Sequence, residues 1–215
     1  MPLRRECLQI VCLVLTLVSV GMQSSRAQNV MLAETAVPDT STANPALTFL
    51  PSAEAIGDGW STVRSATLEV SPDEFRAGAI GIWTGPAGGR VLVVAMLVTD
   101  ARVAVRRSWE EASNLYRKYS GELEYDPDRD EILDRQPLPA GCIEAKRIDG
   151  TARQLGLDTG IPMGLTLCAA DPDVIVLVVV SGAVGPLSGY EASDAVASLM
   201  LGEITSIDHV TPVAG

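Results

Sequence analysis

The sequence predicts an α+β domain: a mostly antiparallel sheet with helices on both faces, forming a three-layer α/β/α sandwich with one disulfide. Two uninterrupted apolar runs, 91–98 and 174–180, are rich in β-branched residues and too short to cross a membrane. Runs of this kind indicate strands that are buried on both faces. Beyond the first 27 residues the cysteines are Cys142 and Cys168, and in an exported protein such a pair normally forms a disulfide.

The first 27 residues have the three parts of a secretory signal peptide. Arg4 and Arg5 are followed by an apolar run over 7–20 and then by Ser-Arg-Ala at 25–27. A membrane-spanning helix needs roughly 20 apolar residues, which is more than this run provides. We therefore expect cleavage near Ala27, a secreted or extracytoplasmic protein and no stable membrane span in the mature chain. A retained N-terminal anchor is the alternative.

Composition divides the remaining chain into three parts. Residues 28–46 are rich in Thr, Ser, Pro and Asn with few large apolar groups, which is typical of a flexible tether. Residues 47–208 have the length of a single α/β domain, and 209–215 form a tail. Of the 16 basic residues only Lys118 and Lys146 are lysines and the others are arginines, a bias typical of a GC-rich bacterial genome.

The chain is acidic, with a formal net charge of −11 that becomes −13 when residues 1–27, with three arginines and one glutamate, are removed. Such a surface repels nucleic acid and anionic lipid headgroups at long range. The expected partner is therefore an extracellular ligand or a cell-envelope component of unknown identity, and not a nucleic acid.

The first half of the domain begins with a strand over 60–70. Ser71 as N-cap and Pro72 in the first turn predict a short helix that ends before Gly78. A strand over 79–84 then leads through the glycine-rich segment 85–89, which predicts a hairpin connection to the first central strand. A phosphate-binding loop is not predicted, because the Walker spacing is absent.

Two longer helices follow from caps and periodicity. Asp100 is a suitable N-cap for a helix with one continuous apolar face, formed by Val105, Trp109, Ala112, Tyr116 and Tyr119. Ser188 and Glu191 have the spacing of a capping box, and Gly202 offers a C-terminal stop. The core face of that second helix would use Ala192, Val196 and Leu199.

The cysteine pair suggests a strand register. If Cys142 lies directly opposite Cys168, then Glu144 lies opposite Thr166 and Lys146 opposite Gly164. The disulfide would then lie on the more polar face, while the opposite face would carry Ile143, Ala145, Leu165, Leu167 and Ala169. Closing this loop is expected to stabilise the domain by roughly 3 to 4 kcal/mol.

The resulting order is a strand, a short helix, a hairpin, a helix, further antiparallel strands and a final helix. This element order is similar to that of PsbP-like domains, which are three-layer α/β/α sandwiches found in exported proteins. The resemblance implies an exported domain with helices on both faces of the sheet.

The sequence offers no clear catalytic group. The chain has one histidine, His209, close to its C-terminus, where it is badly placed to act as a base. Ser188 is one position late for a nucleophile elbow. These observations favour a secreted, non-enzymatic binding or interaction domain. The alternative is a secreted hydrolase with a carboxylate acid/base pair, since acidic residues are plentiful.

An anion site is one candidate for the binding function. Arg102, Arg106 and Arg107 lie in the first turns of the central helix, where the helix dipole disfavours cations. A carboxylate or phosphate could compensate, held by arginines and by backbone donors at the helix start. The alternative is pairing at i, i+4, with Glu110 for Arg106 and Glu111 for Arg107.

Two weaker candidates remain. Asp126, Asp128, Asp130 and Asp134 approach the alternation of a calcium loop, although a solvated loop explains them as well. Calcium is the only cofactor that the sequence suggests. Trp60, Trp83 and Trp109 could line a ligand pocket, but tryptophans in a chain with few aromatic residues are more often core anchors.

Overall fold

The computed structural model describes residues 44–70, 75–109, 133, 135–154, 157–203 and 207. Within them, six strands form one antiparallel sheet: β1 (Ser61–Leu68), β2 (Phe75–Thr84), β3 (Arg90–Val98), β4 (Glu144–Gln154), β5 (Leu157–Ala170) and β6 (Val174–Ser181). Their spatial order is β1-β2-β3-β6-β5-β4. A small two-stranded sheet contains β7 (Ala183–Val184) and β8 (Leu187–Ser188).

The sheet is accompanied by the helices α1 (Ala53–Ile56), α2, which is helical over 101–109, and α3 (Gly189–Met200), and Leu133 and Arg135 are helical as well. Two 3-10 turns, Pro45–Phe49 and Pro86–Gly88, complete the elements. The prediction of a mostly antiparallel sheet with helices and one disulfide is therefore confirmed.

The two apolar runs are the central strands, as predicted. β3 and β6 lie side by side in the middle of the sheet, and every residue of β6 is buried. Strands in this position meet side chains on both faces, so an alternating polar pattern would leave polar groups without water. The glycine-rich segment connects β2 to β3 as a hairpin, with the N–H of Gly85 bonded to the carbonyl of Gly89 at 2.8 Å.

The two faces of the sheet belong to separate apolar clusters. On the α2 face, Ala101 and Val105 of α2 pack with Val94 of β3 and Leu165 of β5. On the α3 face, side chains of α1 and α3 pack with Trp83, Val93 and Val178. The helix residues in that second cluster are Ile56, Ala192, Ala195, Val196, Ala197, Leu199 and Met200.

The disulfide between Cys142 and Cys168 is confirmed, with a Cα–Cα distance of 5.8 Å. The strand register predicted from it is wrong by three residues, because Cys142 precedes β4 in a turn instead of lying in the strand. Ala145 is the residue opposite Cys168.

A shift by an odd number exchanges the faces of the whole strand. Arg147, and not Glu144, therefore lies opposite Thr166, and Asp149, not Lys146, lies opposite Gly164. Cys168 is fully buried and belongs to the apolar cluster under α3. Its face of β5 also carries Thr166, and the opposite face carries Leu165, Leu167 and Ala169 as predicted.

Helix α2 begins as predicted. The carboxylate of Asp100 accepts a hydrogen bond from the backbone N–H of Val103 at 3.0 Å. Val105 is fully buried and Trp109 half-buried, whereas Ala112, Tyr116 and Tyr119 lie outside the described residues.

Helix α3 ends as predicted but does not begin as predicted. At its C-terminus Gly202 has φ +74°, and the N–H groups of Gly202 and Glu203 donate to the carbonyls of Leu199 and Ser198, which is the Schellman arrangement. At its N-terminus the side chain of Ser188 makes no capping hydrogen bond, so the predicted capping box is absent.

The short helix predicted after Ser71 is wrong in its second half. Residues 75–78 belong to β2, while 71–74 lie outside the described residues. At the start of the fold the side chain of Asn44, which we placed in the tether, donates to the carbonyl of Gly78 at 2.9 Å, and Ala46 is fully buried. None of the described helices is long and apolar enough to cross a membrane.

Candidate functional site: the start of helix α2 and a buried ion pair

The backbone donors at the start of α2 are largely taken by the protein itself. Besides the bond from Val103 to Asp100, the N–H of Ala101 donates to the carbonyl of Pro172 at 2.7 Å. Pro172 lies in the turn between β5 and β6, so this bond attaches the helix start to the sheet. An anion at this position would depend on arginine side chains more than on helix N–H groups.

The three candidate arginines differ in their surroundings. Arg106 forms a two-point pair with Glu144 of β4, with Nε–Oε1 at 3.1 Å and Nη2–Oε2 at 3.3 Å. Hydrogen bonding to Glu144, aided by its charge, raises the pKa of Arg106. Arg102 is exposed without a partner among the described residues, while Arg107 makes an interaction within the molecule. The anion site therefore stays a prediction, now centred on Arg102.

The alternative partners Glu110 and Glu111 lie outside the described residues, as do the calcium candidates Asp126, Asp128, Asp130 and Asp134. Within the described residues no group of three or more His, Cys, Asp or Glu side chains could hold a metal ion.

A buried arginine, which the sequence did not reveal, lies under the start of α3. The side chain of Arg147 is 2% exposed and its Nε donates to Asp194 of α3, at 2.7 Å to Oδ2 and 3.0 Å to Oδ1. Its Nη1 donates to the carbonyl of Leu133 at 3.1 Å and its Nη2 to that of Pro137 at 2.6 Å. One guanidinium thus connects β4, α3 and the segment that leads into β4.

Hydroxyl groups complete the surroundings of Asp194. The Oγ1 of Thr166 lies 2.6 Å from Asp194 Oδ1 and 2.8 Å from the Oγ of Ser193, which lies 2.9 Å from the carbonyl of Tyr190. Burial raises the pKa of Asp194, and the charge of Arg147 and the hydrogen bond from Thr166 oppose that rise. Because each polar group is bonded to another, this network is suited to positioning α3 and not to chemistry on a substrate.

The network could not be found from one sequence. Thr166 lies within an apolar strand, and Ser193 and Asp194 follow Ala192 of the core face. Polar residues at such core positions indicate a buried hydrogen-bond network but do not identify its partners. Their partner Arg147 is 47 residues from Asp194, and only the register of β4 brings the two together.

The tryptophans Trp83 and Trp60 are packed on the α3 side of the sheet. Trp83 is 1% exposed, and its Nε1 has no hydrogen-bond acceptor among the residues that the structure describes. Trp60 is half-buried against Gly85, where an added Cβ would lie 2.4 Å from its ring. Both belong to the apolar cluster with Val91, as expected for core anchors.

Comparison with known proteins gives a distant structural likeness. No family model matches the chain, and no curated protein matches it. The extracellular domain of PknH from Mycobacterium tuberculosis is similar in structure with a TM-score of 0.44 and 11% sequence identity, covering 72% of this chain and 92% of that domain. With a TM-score below 0.5, this likeness carries no information about the ligand or activity of the present chain.

Proposed function

We propose that this protein is an exported, extracytoplasmic domain that works by binding a ligand or partner and not by catalysis. The observation that supports the extracytoplasmic location is the disulfide between Cys142 and Cys168, which is part of the apolar cluster under α3. Disulfides persist in oxidising compartments, and the leader-like residues 1–27 provide the route out of the cytoplasm. After cleavage at Ala27, residues 28–43 would precede the domain as an N-terminal tether.

We further infer a three-layer α/β/α arrangement with a PsbP-like layout. The packing of Val105 in α2 on one face of the sheet and of Val196 in α3 on the other face supports this arrangement.

The proposed binding site is the exposed start of α2, and the proposed ligand group is an anion such as a carboxylate or phosphate. Arg102 has no partner among the described residues, in a chain whose net charge is strongly negative. Arg106, one turn away, is already paired with Glu144, so the uncompensated charge at this helix start is that of Arg102. A guanidinium without an acidic partner beside an ordered one is a suitable receptor for an anionic group.

Thermal unfolding with added anions tests this binding function. At a hundred times the dissociation constant a bound anion stabilises the folded state by about 2.7 kcal/mol, which raises Tm by several degrees. We expect this shift with sulfate, phosphate or a small dicarboxylate at constant ionic strength. The variant Arg102→Gln should lose the shift.

Arg64→Gln is the matched control, because Arg64 is also exposed but lies in β1. The control should keep the shift. Equal shifts in the wild type and both variants would show general screening and would contradict the anion site.

Export is tested separately by N-terminal sequencing. Protein collected from the culture medium should begin near Gln28, and material that still begins at Met1 would contradict cleavage at Ala27.

A further inference from the structure

We propose that Arg90, together with hydroxyl groups on the neighbouring strands, forms a binding site for a sugar that carries a carboxylate or phosphate group. The register of the sheet places four polar residues side by side, one each on β1, β2, β3 and β6: Ser61, Thr84, Arg90 and Ser181. We call these four residues the Arg90 row. Directly opposite residues of antiparallel strands point to the same face, so the four side chains share the α2 face of the sheet.

Arg90 has no acidic partner although it is partly removed from water. It is half-buried, and its side chain makes no ion pair or hydrogen bond among the residues that the structure describes. Arg147 is the other arginine in that part of the chain that is not exposed, and it is bonded to Asp194. Partial burial of an unpaired guanidinium is unfavourable, so a bound anion would stabilise Arg90.

The hydroxyl groups of the row can bind the rest of the ligand. Ser181 is 8% exposed, and its hydroxyl makes no hydrogen bond to a described residue. On the other side of Arg90, the Oγ1 of Thr84 lies 3.3 Å from the Oγ of Ser61. Cross-strand neighbours have Cβ atoms about 4.5 to 5.5 Å apart, so Thr84 and Ser181 both lie within reach of a ligand held by Arg90.

The Arg90 row is open at one end and closed at the other. Ser61 on the outer strand is exposed, whereas Thr84 and Arg90 are half-buried and Ser181 is buried. Beside Ser181 on β5 lies Met163, which is 4% exposed and ends the polar row. A ligand can therefore enter from the β1 side and place its deepest group against Ser181.

The surroundings of Arg90 favour an anionic group. The adjacent row on the same face consists of Arg64, Ile82, Leu92 and Val179, so neither row has an acidic residue on these four strands. The whole chain carries −11, and an anion is therefore attracted only where acidic side chains are few. A guanidinium binds a carboxylate or a phosphate through two parallel hydrogen bonds.

The length of the row indicates a sugar and not a small oxyanion. Strands lie about 4.8 Å apart, so the row extends over about 14 Å from Ser61 to Ser181. A small ion held by Arg90 would leave the ends of the row without a ligand group. A sugar that carries an anionic group also has hydroxyls, which donate to and accept from the hydroxyls of the row. The anion site proposed at Arg102 is separate, because Arg102 follows the other end of β3.

Calorimetric titration of the exported protein with glucuronate and with glucose 6-phosphate tests the site. Glucuronate offers a carboxylate and glucose 6-phosphate a phosphate, so the tighter ligand identifies the group that Arg90 binds. Glucose and acetate should each bind at least tenfold more weakly than the tighter ligand, because glucose lacks the charge and acetate lacks the hydroxyls.

Two substitutions in the row should weaken binding. Arg90→Gln should raise the Kd of the tighter sugar at least tenfold, because it removes the charge that pairs with the anion. Ser181→Ala should raise it about three- to tenfold, as expected for one lost hydrogen bond. Arg102→Gln is the matched control, since Arg102 also has no partner among the described residues, and it should bind the sugar like the wild type. This control separates the Arg90 row from the anion site at α2.

Amide chemical shifts of the wild type give a measurement that needs no variant. The sugar should shift the amide signals of Ser61, Thr84, Arg90 and Ser181, which are distant in sequence and adjacent in the sheet. Failure of both anionic sugars to bind at millimolar concentration would overturn the proposal. So would glucose binding as tightly as the anionic sugars, a Kd unchanged in Arg90→Gln, or shifts confined to the start of α2.

Discussion

Asp149 of β4 caps helix α3: its Oδ1 accepts a hydrogen bond from the backbone N–H of Tyr190 at 3.0 Å. This bond takes the place that the sequence assigned to Ser188. Helix α3 begins directly against β5, since a Cβ on Gly164 would lie 2.0 Å from the carbonyl oxygen of Gly189. The close approach brings the helix start within reach of β4, and a carboxylate there also complements the helix dipole.

Replacing Asp149 should therefore destabilise the domain more than replacing Ser188. We expect Asp149→Ala to lower the free energy of unfolding by about 1 kcal/mol, within the range of about 0.5 to 2 known for helix caps. Ser188→Ala should change it by less than about 0.5 kcal/mol. Urea unfolding of both variants measures the difference. A larger loss of unfolding free energy for Ser188→Ala than for Asp149→Ala would show that Ser188, and not Asp149, caps the helix.

Arg147 and Lys146 are neighbours in β4, and we expect replacement of the first to lower the free energy of unfolding much more than replacement of the second. Arg147→Met leaves Asp194 buried without its cation and two carbonyls without donors, which should cost about 3 to 5 kcal/mol of unfolding free energy. Lys146→Met should cost less than about 1 kcal/mol, because Lys146 lies on the other face and is only half-buried. Denaturant unfolding of the two variants compares them. Similar costs would contradict the register of β4 and β5.

The cost of Arg147→Met should depend on pH. Without Arg147, burial raises the pKa of Asp194 further above its unfolded value of about 3.9. A group with a raised folded pKa stabilises the native state when protonated, and that stability is lost as pH rises from about 4 towards the folded pKa. The gap between wild type and variant should therefore widen from about pH 4 to 7, by up to about 1.4 kcal/mol per unit of added shift.

Unfolding measured across this pH range tests the effect. The double variant Arg147→Met/Asp194→Asn serves as the control, because it has no carboxyl group to titrate at this position. The difference in unfolding free energy between the wild type and this double variant should not increase with pH as it does for the single variant. A pH-independent gap for Arg147→Met would mean that Asp194 stays ionised without its partner.

The sequence predicted several features that depend on neighbouring residues, although the short helix after Ser71 and the capping box at Ser188 were wrong. An uninterrupted apolar run has one compatible place in a sheet, so β3 and β6 were located correctly. The cap from Asp100 to Val103 spans only three residues and was also predicted correctly. The register of β4 against β5 and the cap of α3, which depend on distant pairing, were missed. Asp149 is 41 residues from Tyr190 in the sequence. The register was missed because a disulfide requires only nearby Cα atoms, so Cys142 could bond to Cys168 from outside the ladder.

The two cysteines should differ when replaced, although each replacement removes the same disulfide. Losing the bond opens a loop whose ends are 26 residues apart, for which chain entropy predicts a loss of roughly 3 to 4 kcal/mol. Cys168→Ser should cost about 1 to 3 kcal/mol more than Cys142→Ser, because it also places a hydroxyl among apolar side chains where Cys168 is fully buried.

Cys168→Ala provides the control for this difference, since it opens the same loop without adding a polar group. Intact mass with and without reduction and alkylation should first show one disulfide in the exported wild type. Denaturant unfolding of the three variants then separates the contribution of the loop from that of the buried hydroxyl. Equal losses for Cys168→Ser and Cys142→Ser would contradict the burial of Cys168 under α3, and two alkylated thiols in unreduced protein would contradict the disulfide itself.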